Sequence, residues 1–279
     1  MRNHIPTPVL AIRIVSVALL TSLSAAAGAL DTNSELTAAQ EKYRAGDLNG
    51  ALERLEPLLA ATDLDQRTKQ RVQELAARVL QSRGEEQFRQ GRITESIADF
   101  ERQLKLQPDQ APGHWQLGIS YYDAGEYQKG AKQFELHKTV NPQDVENAAW
   151  HFLCEARSPG GSIEAARKAL IDVSRDSRVP MAQIQQLFAG KTTPEEVLQA
   201  GYDADGAAKF YSDLYVGLYY EALGKADESL RLLTLAADNP ASKNSYMGDV
   251  ARVHVALRKK AVSKTQQFRL DAGRSPAKP

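Results

Sequence analysis

The chain has 279 residues, 42% of them apolar and 25% charged, the balance of an ordinary soluble globular protein with one large domain or two small ones. Its 35 Lys and Arg equal its 35 Asp and Glu, which removes any net-charge argument for binding nucleic acid or anionic lipid. Cys154 is the single cysteine, so an intrachain disulfide is excluded and packing alone must hold the core.

Residues 1–29 read as a secretory signal peptide. Arg2 and Arg13 supply positive charge, Ile14 to Leu23 is an apolar run, and Ser24-Ala25-Ala26-Ala27-Gly28-Ala29 offers A-x-A cleavage sites after Ala29 or after Ala27. The run is about half the roughly 20 residues that span a bilayer core. Removing Arg2 and Arg13 leaves 33 basic residues against 35 acidic ones. No cysteine follows the run to carry a lipid anchor. The expected mature chain is exported, periplasmic or secreted, is not a lipoprotein and has no transmembrane segment.

Four glycines then set a register, each followed by a helical pattern: Gly46, Gly91, Gly125 and Gly224. Gly91 and Gly125 are 34 apart, Gly125 and Gly224 are 99 apart, and Gly46 and Gly91 are 45 apart. Around Gly125 the residues alternate small and large at fixed offsets: Gly118, Tyr121, Tyr127, Gly130, Phe134, then Pro142, where a helix must stop. The same offsets hold Gly84, Ser96, Phe100 and Pro108 around Gly91. Around Gly224 they hold Gly217, Tyr220, Ser229, Leu233 and Ala236, with Pro240 one residue early. Around Gly46 the pattern is weaker, with Ala39, Ala51 and Leu55, and with Lys42 where an aromatic belongs.

Between these units the apolar spacing predicts helices over Asp65–Gln81, Ala148–Arg157, Ile163–Val173, Val179–Ala189 and Thr193–Ala200. The last opens on Thr193-Pro194-Glu195-Glu196, a capping-box spacing. Tyr246 to Leu257 presents Val250, Val253, His254 and Leu257 on one face and is expected to cap the final pair. From 259 to 279 a basic, disordered tail is expected. No run of β-branched residues makes a convincing strand.

A 34-residue beat of small and large residues resembles the tetratricopeptide repeat (TPR) family over roughly residues 34 to 240. The resemblance implies an all-α fold: a TPR α-solenoid of antiparallel helix pairs over 34–258, closed by a C-terminal capping helix. In such a solenoid the first helix of each pair lines an inner groove. Residues 10, 6, 3 and 2 before each hinge glycine share that face. They are Gln81, Glu85, Phe88 and Arg89, then Trp115, Ile119, Tyr122 and Asp123, then Leu214, Leu218, Glu221 and Ala222. Aromatics with scattered charge suit a helix or an extended peptide. The Lys, Arg and Asn clamp that holds C-terminal carboxylates in some TPR domains is missing, so capture of chaperone tails is disfavoured.

Catalytic chemistry is not announced. His4, His114, His137, His151 and His254 lie in no metal-ligand spacing, and His151 with Cys154 makes two ligands at most, better read as a buried thiol beside a core histidine. There is no nucleophile elbow, phosphate loop or dinucleotide fingerprint. No cofactor, metal or catalytic residue is expected. The basic residues of the tail, from Arg258 to Lys278, could touch anionic polymer.

The order of elements from AAWHFLCEAR (Ala148–Arg157) through QIQQLFAGKTTPEEVLQA (Gln183–Ala200) to FYSDLYVGLYYEALGKADESLRLLTLAA (Phe210–Ala237) resembles the NlpI-type periplasmic TPR proteins. That family implies a homodimeric envelope scaffold bringing cell-wall hydrolases to a protease. This chain lacks the lipid-bearing cysteine of the family's founding members. The expected function is a non-catalytic adaptor binding proteins or peptides in its groove; the alternative is a structural envelope protein associating with peptidoglycan.

Overall fold

The computed structural model describes residues 32–204 and 206–272. The expected signal peptide and residues 273–279 lie outside the described residues. Among the described residues the protein is all-α with no strand, and its helices pack in adjacent pairs. No described helix is long and apolar enough to cross a membrane. The chain divides between Val79 and Leu80 into two compact units.

In the first unit helix α1 covers 32–44 and turns at Gly46 into α2 (Leu48–Ala60). Asp47 caps α2, its Oδ1 accepting from the Gly50 N–H at 2.9 Å. Ala39, Ala51 and Leu55, the weak matches of the sequence, are wholly buried. Helix α3 (Gln66–Arg89), whose residues from Leu80 on belong to the second unit, is unbroken where the sequence suggested two helices. Gly84 within it costs a helix only about 1 kcal/mol, too little to end it.

The second unit holds α4 (Ile93–Leu106), α5 (Trp115–Asp123), α6 (Tyr127–His137), α7 (Val145–Arg157) and α8 (Ile163–Ala169). It continues with α9 (Met181–Phe188), α10 (Pro194–Ala204), α11 (Gly206–Ala222), α12 (Ala226–Asp238) and α13 (Tyr246–Ala272). The hinge glycines do what their spacing predicts. Gly91, Gly125 and Gly224 have φ of 71°, 78° and 74°, a region costly for any residue with a Cβ. At Gly125 the N–H bonds to the Tyr122 carbonyl at 3.0 Å and the next N–H reaches back to Tyr121 at 2.8 Å, the double bond of a Schellman stop.

The small-large beat becomes contact. A Cβ on Gly84 would lie 2.5 Å from Phe100 Cε1, one on Gly118 2.7 Å from Phe134 Cζ, and one on Gly217 2.9 Å from Leu233 Cγ. At all three glycines the large residue sixteen positions on occupies the space that the glycine vacates. Gly130 likewise leaves room for Cys154 Sγ.

Departures from the predicted elements have local causes. Helix α8 ends at Ala169, four residues before the predicted Val173. Beyond it the backbone bonds to side chains instead: Ser174 and Arg175 donate to Gln143 Oε1 at 3.2 and 3.1 Å, and the Ile171 carbonyl accepts from Gln185 at 2.9 Å. The capping box of α10 forms, Glu196 N–H donating to Thr193 Oγ1 at 3.2 Å and Thr193 N–H to Glu196 at 3.0 Å. Helix α13 packs on α12 but continues to Ala272, so 259–272 is helix rather than loose tail. No proline or glycine interrupts it after Gly248.

His114 caps α5, its Nδ1 accepting from the Leu117 N–H at 3.3 Å with the Phe100 ring 4.7 Å away. Burial holds its pKa down at about 4. The unfolded chain therefore takes up a proton at about pH 6.5 that the folded chain refuses until about pH 4. The resulting stability is complete above pH 6.5 and is lost on acidification. Between pH 7 and pH 5 the loss from this group is about 2 kcal/mol. Urea unfolding at a series of pH values should show it. His114→Asn, which keeps a capping acceptor but cannot titrate, should reduce the slope between pH 5 and 6 by about one proton.

Candidate functional site

The candidate groove residues do not share one setting. Leu214 and Leu218 are wholly buried core residues of α11. Gln81, Glu85 and Arg89 lie along α3: Gln81 donates to Glu85 at 2.8 Å, and Arg89 reaches Glu85 and Asp249 at 3.5 and 3.4 Å. Phe88 is buried, stacked at 5.5 Å on Tyr246 of α13. Trp115 and Ile119 border a pocket described below. Tyr122, Asp123 and Glu221 meet in a buried polar cluster.

The last three, expected to face a partner, instead take part in contacts with one another and with α13. His254, projecting from α13, sits between two carboxylates, with Nδ1 2.8 Å from Asp123 Oδ1 and Nε2 2.6 Å from Glu221 Oε2. Arg258, one turn on, donates Nε and Nη2 to Glu221, each at 3.0 Å. Arg157 of α7 pairs with the same Glu221 carboxylate and donates to Tyr122 Oη at 2.9 Å. The His254 and Asp123 side chains are fully buried, and the Tyr122 ring stacks on the imidazole at 5.9 Å. Helix α13 thus covers the face that the sequence leaves open. It ties together α5, α7 and α11, which are distant in the chain.

A histidine oriented by an aspartate is also the geometry of a general base. Here the second nitrogen faces Glu221 rather than an open position, and no surface of the ring meets solvent. Burial, opposed by Asp123, pulls the His254 pKa below its ordinary value. The arrangement is a tie between helices, with no place for a reacting group.

The pocket lies beside this cluster in the chain's fold and has a volume of about 260 Å³. Trp115 and Ile119 of α5, Phe134 of α6, Trp150 of α7 and Met247 of α13 make its apolar walls. Its charged border is Asp144 and Glu146, with no Lys or Arg among the lining residues. Both carboxylates stand at the start of α7, where Asp144 caps the helix by accepting from the Glu146 N–H at 3.1 Å. Outside the pocket the Arg178 guanidinium serves Asp144 at 3.1 Å, Glu146 at 2.6 Å and Asp176 at 2.6 Å. Burial raises the Glu146 pKa, against the pull of Arg178.

No protein-family model matches the chain, and a search of curated proteins finds no match. Of the sequence candidates, then, Trp115 and Ile119 line this pocket, while Gln81 and Arg89 border other cavities. His254, Arg258, Arg157, Trp150 and the Asp144–Glu146 pair were not among those candidates. His254 carried the one usable signal, a titratable residue in the apolar stripe of a helix with Arg258 four residues on. Cys154 and His151 are buried, and burial pushes the thiol pKa well up, as for a packed core sulfur.

Proposed function

We propose that this chain is an exported, non-catalytic adaptor of the TPR type that binds protein or peptide partners. Support for the repeat comes from one geometry recurring three times, Gly84 with Phe100, Gly118 with Phe134 and Gly217 with Leu233. Export rests on the residues before Asp31. The arrangement of elements after α7 supports an NlpI-like envelope scaffold, with cell-wall hydrolases and a protease as the partner classes and a homodimer as the working state.

The observation that carries the binding role is the pocket. Aromatic and aliphatic walls with a few polar groups at the border are the make-up of an anchor site for a partner's side chain. The binding surface is correspondingly smaller than the sequence suggests, because α13 occupies the positions of Phe88, Tyr122 and Glu221. Trp115 is the candidate residue that both lines the pocket and stays part-exposed.

The test is affinity capture from a cell-envelope extract with the mature chain and with Trp115→Ala, both checked by circular dichroism. Partners retained by the wild-type chain should be depleted about tenfold with the variant, the cost expected of losing an aromatic anchor. Equal recovery with both proteins, or no retained partner, would count against the adaptor role.

A further inference from the structure

We infer that the pocket between α5, α7 and α13 takes a basic side chain, Lys or Arg, from an extended segment of a partner protein. The inference rests on the peptide-binding reading above and names the residue class that the site selects.

Three observations converge. The charged side chains lining the pocket are both acidic, Asp144 and Glu146. The one guanidinium that they share among the described residues is divided among three carboxylates, since Arg178 also holds Asp176 at 2.6 Å. That guanidinium is 48% exposed and lies outside the lining, so it neutralises the group incompletely and from the solvent side. With one guanidinium for three carboxylates, the border keeps a net negative balance.

Next, the depth of the pocket is apolar. Ile119, Met247 and the two indoles give methylene stems a surface to cover, and the indole faces favour a cation beside them. A short acidic side chain would meet like charge, and a purely aliphatic one would desolvate the carboxylates and return only what Arg178 and their existing hydrogen bonds already supply. A long side chain with a cationic end satisfies both parts.

Finally, two buried polar atoms of lining residues have no hydrogen-bond partner among the described residues: the Asn147 Oδ1 acceptor and the Trp150 Nε1 donor. Asn147 is 3% exposed and Trp150 2%. The Asn147 amide is fixed, because its Nδ2 donates to the Phe134 carbonyl at 3.1 Å, so Oδ1 is left as an acceptor. An acceptor and a donor match the N–H and C=O of a backbone amide, which a bound peptide brings with its side chain and a free amine does not.

Trp115 and Trp150 are the chain's two tryptophans, and both line the pocket, so intrinsic fluorescence reports on it directly. The probes are four acetylated, amidated nonapeptides identical except for a central Lys, Arg, Leu or Glu between leucine and alanine residues. The Lys and Arg peptides should alter the emission and bind about tenfold more tightly than the Leu peptide, with the Glu peptide weakest. Added salt should weaken them. Asp144→Asn keeps the helix cap and should lower Lys-peptide affinity about tenfold while leaving the Leu peptide unchanged. If the Leu peptide binds as tightly as the Lys peptide, or Asp144→Asn changes nothing, the charge preference is wrong while peptide binding stands. If none of the four alters the emission, the pocket is not a peptide subsite, and the capture experiment decides the adaptor role separately.

Discussion

Glu221→Ala is expected to lower the unfolding free energy by about 3–5 kcal/mol, the usual cost of removing one partner from a buried charge network. The carboxylate is 11% exposed and is the common partner of His254, Arg157 and Arg258. Its loss takes a partner from three groups at once. The two guanidiniums, each 26% exposed, can turn partly toward water; the imidazole, fully buried, cannot. Salt should do little to the wild-type tie, because buried pairs are weakly screened. Glu221→Gln retains an acceptor oxygen and should cost less than the alanine variant. Urea unfolding of the three proteins at pH 7 measures the order. A loss under about 1 kcal/mol for the alanine variant would mean that α13 is held by its apolar side alone.

The cluster also explains what the sequence could and could not reveal. Gly84, Gly118 and Gly217 and their large partners were legible because the contact is short in sequence and fixed by helix geometry. The turns at Gly91, Gly125 and Gly224 were legible for the same reason: positive φ marks itself through the residue type. Which face of α5 meets solvent is a different matter. Asp123 finds His254 131 residues later, and no periodicity within α5 carries that information. Tyr122 looks like a groove aromatic until α13 is laid over it. The end of α8 was hidden likewise, because Gln143 and Gln185, from either side of it, capture the backbone that would have continued the helix. Trp115 and Ile119 were singled out by the pattern, yet the acidic border of the pocket they line comes from the start of α7 and needed the packing to bring it there.

Gly118→Leu is expected to destabilise the second unit at or beyond the upper end of the roughly 1–3 kcal/mol that overpacking costs, measured by urea unfolding. The first added carbon alone would sit 2.7 Å from Phe134 Cζ, and the rest of the side chain would have to enter the ring. The ring cannot retreat easily: Phe134 is 1% exposed and stacks on Trp150 at 6.4 Å. Gly113 supplies the control, since a Cβ there meets nothing within 4 Å; Gly113→Ala should stay within about 0.5 kcal/mol of wild type. Phe134→Ala alone should cost about 3–5 kcal/mol through the cavity it leaves. Combined with Gly118→Leu it should cost less than the sum of the two by more than about 1 kcal/mol, because each change relieves the other. Additive losses would mean that the two positions do not share one space. The same exchange at Gly217 should still be costly but milder than at Gly84, since a Cβ there meets Leu233 Cγ at 2.9 Å and the Leu233 backbone nitrogen at 3.2 Å, against Phe100 Cε1 at 2.5 Å. That graded result would establish the repeat as an energetic unit, set by the size of one residue and by the stiffness of the partner sixteen positions later.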